Sequence, residues 1–176
     1  MQTHTFICGC GHSGTSLMAA MFASHAEVFI PLRETEAFLA RDAVAERLAA
    51  LLAEARASGR PHLAEKTPRH VRRIAMIRRR VPGARFVAMV RDGRDVAASF
   101  IRRLGAAEPG ARRWIADNTA LGREQDAPDV MVVRYEDLIE APEAVLRRVC
   151  AFAGSGSMRG CCTTTRRRAS GSTSPT

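Results

Sequence analysis

Glycine and hydroxyl residues near the N-terminus form a pattern suited to holding a phosphate group. Gly9, Gly11 and Gly14 interrupt a short segment, and glycine allows positive φ angles and a close approach of the backbone to a ligand. Hydroxyl donors occur in and directly after this segment, at Ser13, Thr15 and Ser16. Backbone N–H groups and hydroxyls concentrated in this way are the chemistry that binds a phosphate oxygen.

A strand must lead into this segment and a helix must leave it. Residues 5–8 are apolar and rich in β-formers without helical spacing, which predicts a buried strand. Apolar residues recur at helical spacing after Gly14, so a helix is predicted to begin at about residues 13–15. The helix N-terminus would then direct free N–H groups and its positive dipole end at one point. We interpret the segment as a phosphate cradle; an ordinary glycine turn of an α/β domain is the alternative.

The spacing from Gly9 to Gly14 also matches the nucleotide P-loop, G-x-x-x-x-G-K-[ST], with Ser16 at the last position. Thr15 stands where that pattern requires lysine. Because a P-loop kinase uses this lysine on the β- and γ-phosphates, its absence argues against triphosphate chemistry. A loop for a 5′-phosphate is the better interpretation, and a small-molecule kinase is the alternative.

A second cluster of basic and hydroxyl residues follows a predicted strand at residues 84–90. Arg91 comes directly after that strand, and Ser99 and Arg103 lie one turn apart on the helix predicted next. Arginine at a strand end beside a helical serine can hold a second phosphate bidentately. Asp92, Arg94 and Asp95 are instead interpreted as a local ion-pair and capping set.

Two carboxylates and one ammonium group are candidates for proton and charge transfer. Glu34 and Glu36 are predicted near a helix start, where they either complement the helix dipole or supply a base at the edge of the site. Lys66 is the single lysine among 27 basic residues. It is a candidate catalytic group, and a structural ion pair with Glu65 is the alternative.

The remaining pattern alternates strands with helices, which predicts an α/β fold in which a three-layer parallel sheet is flanked by helices. Further strands are predicted at residues 28–30, 62–65 and 129–135. Further helices are predicted at residues 35–57, at 68–80 with Thr67 as N-cap, at 110–123 with Trp114, Ile115 and Leu121 facing inward, and at 142–152. Ligands of such sheets bind at the carboxyl ends of the strands. Two strand-to-helix junctions should lie there: the first is the glycine segment after residues 5–8, and the second is the basic segment after residues 84–90.

Composition limits the class of protein. The chain has 176 residues and a net charge of +9, of which residues 155–176 supply +4. The sequence predicts a domain over residues 1–154 and a disordered basic tail over 155–176. No apolar run reaches the ~20 residues of a membrane span. Five cysteines without paired spacing favour a reducing, cytoplasmic location. Aromatic residues make up only 5%, which argues against nucleic-acid binding.

Metal binding is not expected at the cysteines. The Cys8-x-Cys10-x-His12 spacing places Cys8 inside the predicted buried strand, where it is not available as a ligand. Cys161 and Cys162 lack a partner pair or a histidine nearby. The sequence therefore predicts no metal site.

Three blocks of this sequence resemble the PAPS-dependent sulfotransferases, especially the tyrosylprotein and bacterial-type branch. They read CGCGHSGTSLMAAMFASH, then EKTPRH with ARFVAMVRDGRDVAASFIRR, and finally VVRYEDLIEAPEAVLRRVCAFAG. Together they cover most of residues 5–154. The resemblance implies a P-loop-kinase-like fold and transfer of a sulfonate group from PAPS (3′-phosphoadenosine 5′-phosphosulfate) to an acceptor hydroxyl, without a metal. The acceptor, which is a small molecule, a carbohydrate or a peptide, stays open, as does the oligomeric state.

The resemblance also implies roles for individual residues. Glu34 matches the general base, with Glu36 as the alternative, and Lys66 matches the catalytic lysine. His12, near the leaving group, is counted with them as a catalytic candidate. The residues expected to bind the 5′-phosphosulfate are Gly11, His12, Ser13, Gly14, Thr15 and Ser16. Those expected at the 3′-phosphate and nucleotide are Arg91, Ser99, Arg103 and Tyr135.

The sequence departs from the family pattern at two places. His12 stands where the family has arginine or lysine near the leaving group, so a fixed charge becomes pH-dependent. After Gly154 the family continues into a further serine and a glycine-rich loop, whereas this sequence passes into residues 155–176. A truncated or frame-shifted reading frame is therefore expected, and an inactive PAPS-binding remnant is the alternative to an active enzyme.

Overall fold

A parallel β-sheet of five strands forms the centre of the fold in the computed structural model, which describes residues 3–39 and 43–154. The strands are β1 (Thr3–Gly9), β2 (Val28–Phe29), β3 (His62–Lys66), β4 (Ala84–Val90) and β5 (Val130–Arg134). Their order across the sheet is β2-β3-β1-β4-β5, and every pairing is parallel. The predicted α/β fold is confirmed. The predicted tail, residues 155–176, lies outside the described residues.

Helices connect the strands. They are α1 (Thr15–Ala23), α2 (Val44–Ala57), a 3₁₀ helix (Pro68–Arg73), α3 (Ile74–Arg80), α4 (Gly93–Leu104), α5 (Glu108–Gly122), α6 (Tyr135–Glu140) and α7 (Pro142–Ala153). From β1 the chain crosses to the edge strand β2 and returns to β3 beside β1, and β4 and β5 then continue on the other side of β1. The connections diverge at the carboxyl ends of β1 and β4, which is the switch point where ligands bind in such sheets.

The two faces of the sheet are covered by different helices. Because strand side chains alternate between faces, Ile7 and Val87 pack with α1, α6 and α7, whereas Phe6 and Phe86 pack with the 3₁₀ helix, α3 and α5. All four side chains are buried. Burying a large apolar side chain contributes about 1.5–3 kcal/mol, so both layers hold the strand ends in place.

The predicted helix over residues 35–57 is wrong in its first part, because α2 begins only at Val44. Residues 34–36 lack helical structure. Backbone N–H groups of Thr35, Glu36 and Phe38 donate instead to side chains within β3 and in the segment directly after it. These long-range hydrogen bonds replace the i to i−4 pattern, so Glu34 and Glu36 do not lie at a helix start.

Three other predictions need correction. The segment after Thr67 is a 3₁₀ helix followed by α3 rather than one α-helix, and the Thr67 side chain does not cap it. Ile115 does not face inward, since its side chain is exposed. Helix α6 was not predicted. Of the other two residues predicted to face inward on α5, Leu121 is buried and Trp114 packs against a small cluster at α4.

Candidate functional site

The glycine segment after β1 follows a path that side chains would obstruct. Gly9 has φ 137°, and a Cβ atom there would collide with the backbone of Met89 in β4. Gly14, the N-cap of α1, has φ 87°, and a Cβ atom there would collide with the Tyr135 ring. The loop therefore lies tightly between the ends of β1, β4 and β5. Its glycines are needed because both φ values are unfavourable for other residues.

Arg91 occupies the end of β4 beside this loop. Its Nη1 donates to the His12 carbonyl oxygen over 3.3 Å, and its Nη2 donates to Asp95 over 3.2 Å. The guanidinium carbon lies 4.2 Å from the centroid of the Tyr135 ring, within the range of a cation–π contact. Of the predicted capping set, Asp92 accepts hydrogen bonds from the backbone and side chain of Arg94, whereas Asp95 pairs with Arg91.

His12 joins the two junctions. Its Nδ1 lies 2.9 Å from the Ser99 hydroxyl on α4, and its ring packs against Phe100 at 4.5 Å between centroids. The backbone of His12 has φ 68°, in the left-handed region. Burial lowers the pKa of His12, and four arginines lower it further, namely Arg103, Arg113, Arg102 and Arg91. The lowered pKa therefore favours the neutral form of the ring at pH 7.

This lowered pKa predicts that His12 makes stability depend on pH. The unfolded chain takes up a proton at His12 near its ordinary value of about 6.5, whereas the folded protein takes it up only at lower pH. The free energy of unfolding should therefore fall as the pH drops through about 6.5. We expect His12→Asn, which tolerates the left-handed backbone, to lose less stability than the wild type between pH 7.5 and 5.5 in urea titrations. Equal losses in both proteins would contradict the prediction.

One cavity of about 700 Å³ opens at this edge of the sheet. Its lining includes ten of the twelve predicted site residues: Gly11, His12, Gly14, Thr15, Ser16, Glu34, Arg91, Ser99, Arg103 and Tyr135. The two junctions and the segment after β2 thus face a common space. Its volume is within the range of small-molecule sites.

Ser13 and Lys66 are the two predicted residues that do not line this cavity. Ser13 is fully buried, and its Oγ has no hydrogen-bond partner among the described residues. Lys66 ends β3, and its Nζ lies 2.6 Å from Glu34 Oε1. The alternative pairing of Lys66 with Glu65 is therefore wrong. Adjacent strand residues point to opposite faces of a sheet, so Glu65 faces the interior.

A buried polar cluster holds the segment that carries Glu34. The Glu65 carboxylate accepts hydrogen bonds from the hydroxyls of Thr35 (2.8 Å) and Thr67 (2.6 Å), and lies 2.9 Å from His70 Nδ1. His70 Nε2 accepts from the backbone N–H of Phe38, so its Nδ1 carries the proton and donates to Glu65. Burial raises the pKa of Glu65, but these hydrogen bonds and the electrostatic interaction with His70 together outweigh it and hold the pKa below its ordinary value.

The cavity is also lined by five residues outside the twelve predicted site residues: Leu17, Glu36, Pro68, Arg69 and Arg113. Glu36 was only an alternative for the base. Arg113 carried no usable signal, because arginine makes up 26 of the 27 basic residues and Arg113 lies in none of the three blocks. Arg69 lies in the EKTPRH block, but the resemblance assigned no role to it.

The cysteines near the loop are buried thiols. Cys8 and Cys10 are both at most 2% exposed, and burial raises the pKa of Cys10 to about 12, with the Asp117 carboxylate adding to the effect. Among the described residues, no three His, Cys, Asp or Glu side chains are grouped to hold a metal ion. Within residues 3–39 and 43–154, no helix has both the length and the apolar character required to cross a bilayer.

The sequence profile described as the Sulfotransferase family matches residues 31–156, which is more than half of the chain. The chain belongs to the sulfotransferase family. No curated protein sequence matches it significantly.

Solved structures of other sulfotransferases share this fold. The sulfotransferase domain from the curacin biosynthetic pathway has 18% identity and a TM-score of 0.64, with 92% of this chain and 77% of that chain covered. The sulfotransferase from Alicyclobacillus acidocaldarius has 16% identity and a TM-score of 0.65, with 89% and 82% covered. Mouse sulfotransferase SULT7A1 complexed with PAP has 15% identity and a TM-score of 0.61, with 92% and 61% covered. At these identities the similarity shows the fold alone.

Proposed function

We propose that this sulfotransferase transfers a sulfonate group from PAPS to an acceptor hydroxyl. The observation that carries the proposal is the single cavity faced by both basic junctions and by Glu34. The glycine loop offers backbone N–H groups at the start of α1, and Arg91, Ser99 and Arg103 offer a second set of anion-binding groups. A doubly phosphorylated adenosine, such as the PAP with which the mouse enzyme is complexed, has anionic groups for both sets.

Two buried polar atoms suit such a ligand. Ser13 Oγ and Arg91 Nε have no hydrogen-bond partner among the described residues, although both are shielded from solvent. A buried donor without a partner costs about 1–3 kcal/mol. A phosphate oxygen accepts hydrogen bonds from both donor types, so small local adjustments on binding would recover that cost.

Glu34 and Lys66 are proposed to carry the chemistry. PAPS supplies the activated sulfonate: the acceptor oxygen bonds to sulfur as the bond from sulfur to the 5′-phosphate oxygen breaks, releasing adenosine 3′,5′-bisphosphate. Glu34 removes the acceptor proton, a task that contributes about 10²–10⁴-fold. Lys66, whose Nζ lies 2.6 Å from Glu34, stabilises the charge on the leaving phosphate. His12, with its neutral form favoured at pH 7, is proposed to add a hydrogen bond there.

The function is tested with PAPS and a mixed set of phenolic, carbohydrate and peptide hydroxyl acceptors. We expect transfer of radiolabelled sulfonate to at least one acceptor, and calorimetric binding of adenosine 3′,5′-bisphosphate that is much tighter than that of ATP. Binding without transfer to any acceptor would favour the inactive, nucleotide-binding alternative. Preferential binding of ATP with magnesium-dependent hydrolysis would contradict the proposal.

Arg91→Ala is expected to weaken the binding of adenosine 3′,5′-bisphosphate by about 10- to 100-fold, the range for a hydrogen bond to a charged group. Isothermal titration measures the effect. Arg94→Ala is the matched control, since the Arg94 side chain is 91% exposed and pairs with Asp92 outside the cavity. Equal affinities of the two variants would remove Arg91 from the binding site.

A further inference from the structure

Arg113 of helix α5 contributes a guanidinium group to the cavity, at a place far in sequence from both junctions. A Cβ atom built on Gly11 would lie 4.0 Å from Arg113 Nη2, so the guanidinium lies directly beside the glycine loop. The side chain is 33% exposed and lines the same cavity as His12 and Thr15. The loop itself contains no lysine or arginine.

A buried carboxylate orients this guanidinium. Arg113 Nε donates to Asp117 Oδ2 over 3.1 Å, and Arg72 Nε donates to the other oxygen of Asp117. The Asp117 side chain is 0% exposed, and a buried carboxylate requires such partners. Two guanidinium groups share this one carboxylate, so it leaves one positive charge uncompensated. Within the described residues, Arg113 donates hydrogen bonds only through Nε, which leaves its Nη groups available.

Helix α5 is itself firmly placed against the second junction. Trp114 Nε1 donates to the Arg91 carbonyl oxygen over 2.8 Å. A Cβ atom on Gly93 would lie 3.1 Å from the Trp114 ring, so α4 and α5 pack closely. Arg113 therefore projects from a rigid element, and little side-chain freedom remains to be lost when it binds an anion.

The glycine loop has no fixed positive charge of its own to bind an anion. The lowered pKa of His12 favours its neutral form, and Thr15 stands where a nucleotide-binding loop would carry lysine. We propose that Arg113 of α5 supplies a positive charge beside the glycine loop and binds an anion there together with the loop. It would contact the 5′-phosphate side of the sulfonate donor and is held in position by Asp117. The identity of the donor rests on the proposed function, whereas the binding of an anion beside Gly11 does not depend on it.

The test compares wild type, Arg113→Ala and Arg113→Lys by calorimetric titration with three probes: adenosine 5′-phosphate, adenosine 3′-phosphate and inorganic pyrophosphate. We expect Arg113→Ala to weaken the 5′-phosphate and pyrophosphate by about 10- to 100-fold and the 3′-phosphate little. Arg113→Lys should fall between, because lysine keeps the charge without the planar fork. Arg112→Ala is the matched control, since Arg112 is 79% exposed on the same helix and pairs with Glu108.

The outcomes separate this inference from the proposed function. Unchanged affinity of Arg113→Ala for the 5′-phosphate and pyrophosphate, or a loss confined to the 3′-phosphate, would overturn the assignment while leaving the enzyme proposal intact. Pyrophosphate binding that depends on Arg113, in a wild type that does not bind adenosine 3′,5′-bisphosphate, would support the anion site and overturn the donor. A wild type that binds none of the probes would overturn both. Melting temperatures close to that of wild type confirm that the variants fold, since Asp117 keeps Arg72.

Discussion

Lys66→Ala is expected to lower the turnover of sulfonate transfer by about 10²–10³-fold, the range for removal of one donor that stabilises developing negative charge. Glu34→Gln should lower turnover by about 10²–10⁴-fold, because the amide cannot accept the acceptor proton. Both variants should keep the affinity for adenosine 3′,5′-bisphosphate within a few-fold, since the anion-binding groups stay in place. Single-turnover kinetics and calorimetry, run on the same preparations, measure the two quantities.

Matched variants identify the base. Glu36 lines the same cavity as Glu34, and its backbone N–H donates to the Thr67 hydroxyl. Glu36→Gln keeps this backbone hydrogen bond and removes only the side-chain charge. The pair formed by Lys66 and Glu34 is therefore left unchanged. We expect the Glu36→Gln variant to keep most of the turnover. Full turnover in Glu34→Gln together with a large loss in Glu36→Gln would transfer the role of base to Glu36.

His70→Ala is expected to lower the free energy of unfolding by at least about 1.5–3 kcal/mol, the range for loss of a hydrogen bond to a charged group. The Glu65 carboxylate would lose a buried donor, and the Phe38 N–H would lose its acceptor. His70 is 0% exposed, so a cavity would also remain. Urea titration measures the change. Turnover should fall as well, because the segment that carries Glu34 would lose one of its anchors.

His70→Asn is the conservative control for this effect. Its amide can donate to Glu65 from a position close to that of Nδ1, so we expect it to recover part of the lost stability. Because the pKa of Glu65 is lowered in the folded protein, the stability that its ionised form contributes is present above about pH 4.5 and is lost as the pH falls through its folded pKa. A His70→Ala protein as stable as wild type would show that the cluster does not anchor the segment.

Much of the fold and of the site could be predicted from short-range patterns. The apolar run before Gly9 and the helical spacing after Gly14 are local signals, and each specifies its element within a few residues. The same holds for β4 and for the capping of α4 by Asp92. Ten of the predicted site residues line one cavity because parallel strands direct their carboxyl ends to one edge. The first part of the predicted helix over residues 35–57 was wrong because Thr35, Glu36 and Phe38 donate to distant side chains.

The sequence by itself determined the succession of the five strands and of most helices along the chain, the two junctions and the residue types available for binding an anion. The tertiary structure decided which of the charged groups meet. Lys66 pairs with Glu34 rather than with the adjacent Glu65, because the alternation of β3 sends neighbouring side chains to opposite faces. Arg113 reaches Gly11 across about a hundred residues, because helix α5 packs on α4. Such partners depend on packing between distant elements, which no local pattern encodes.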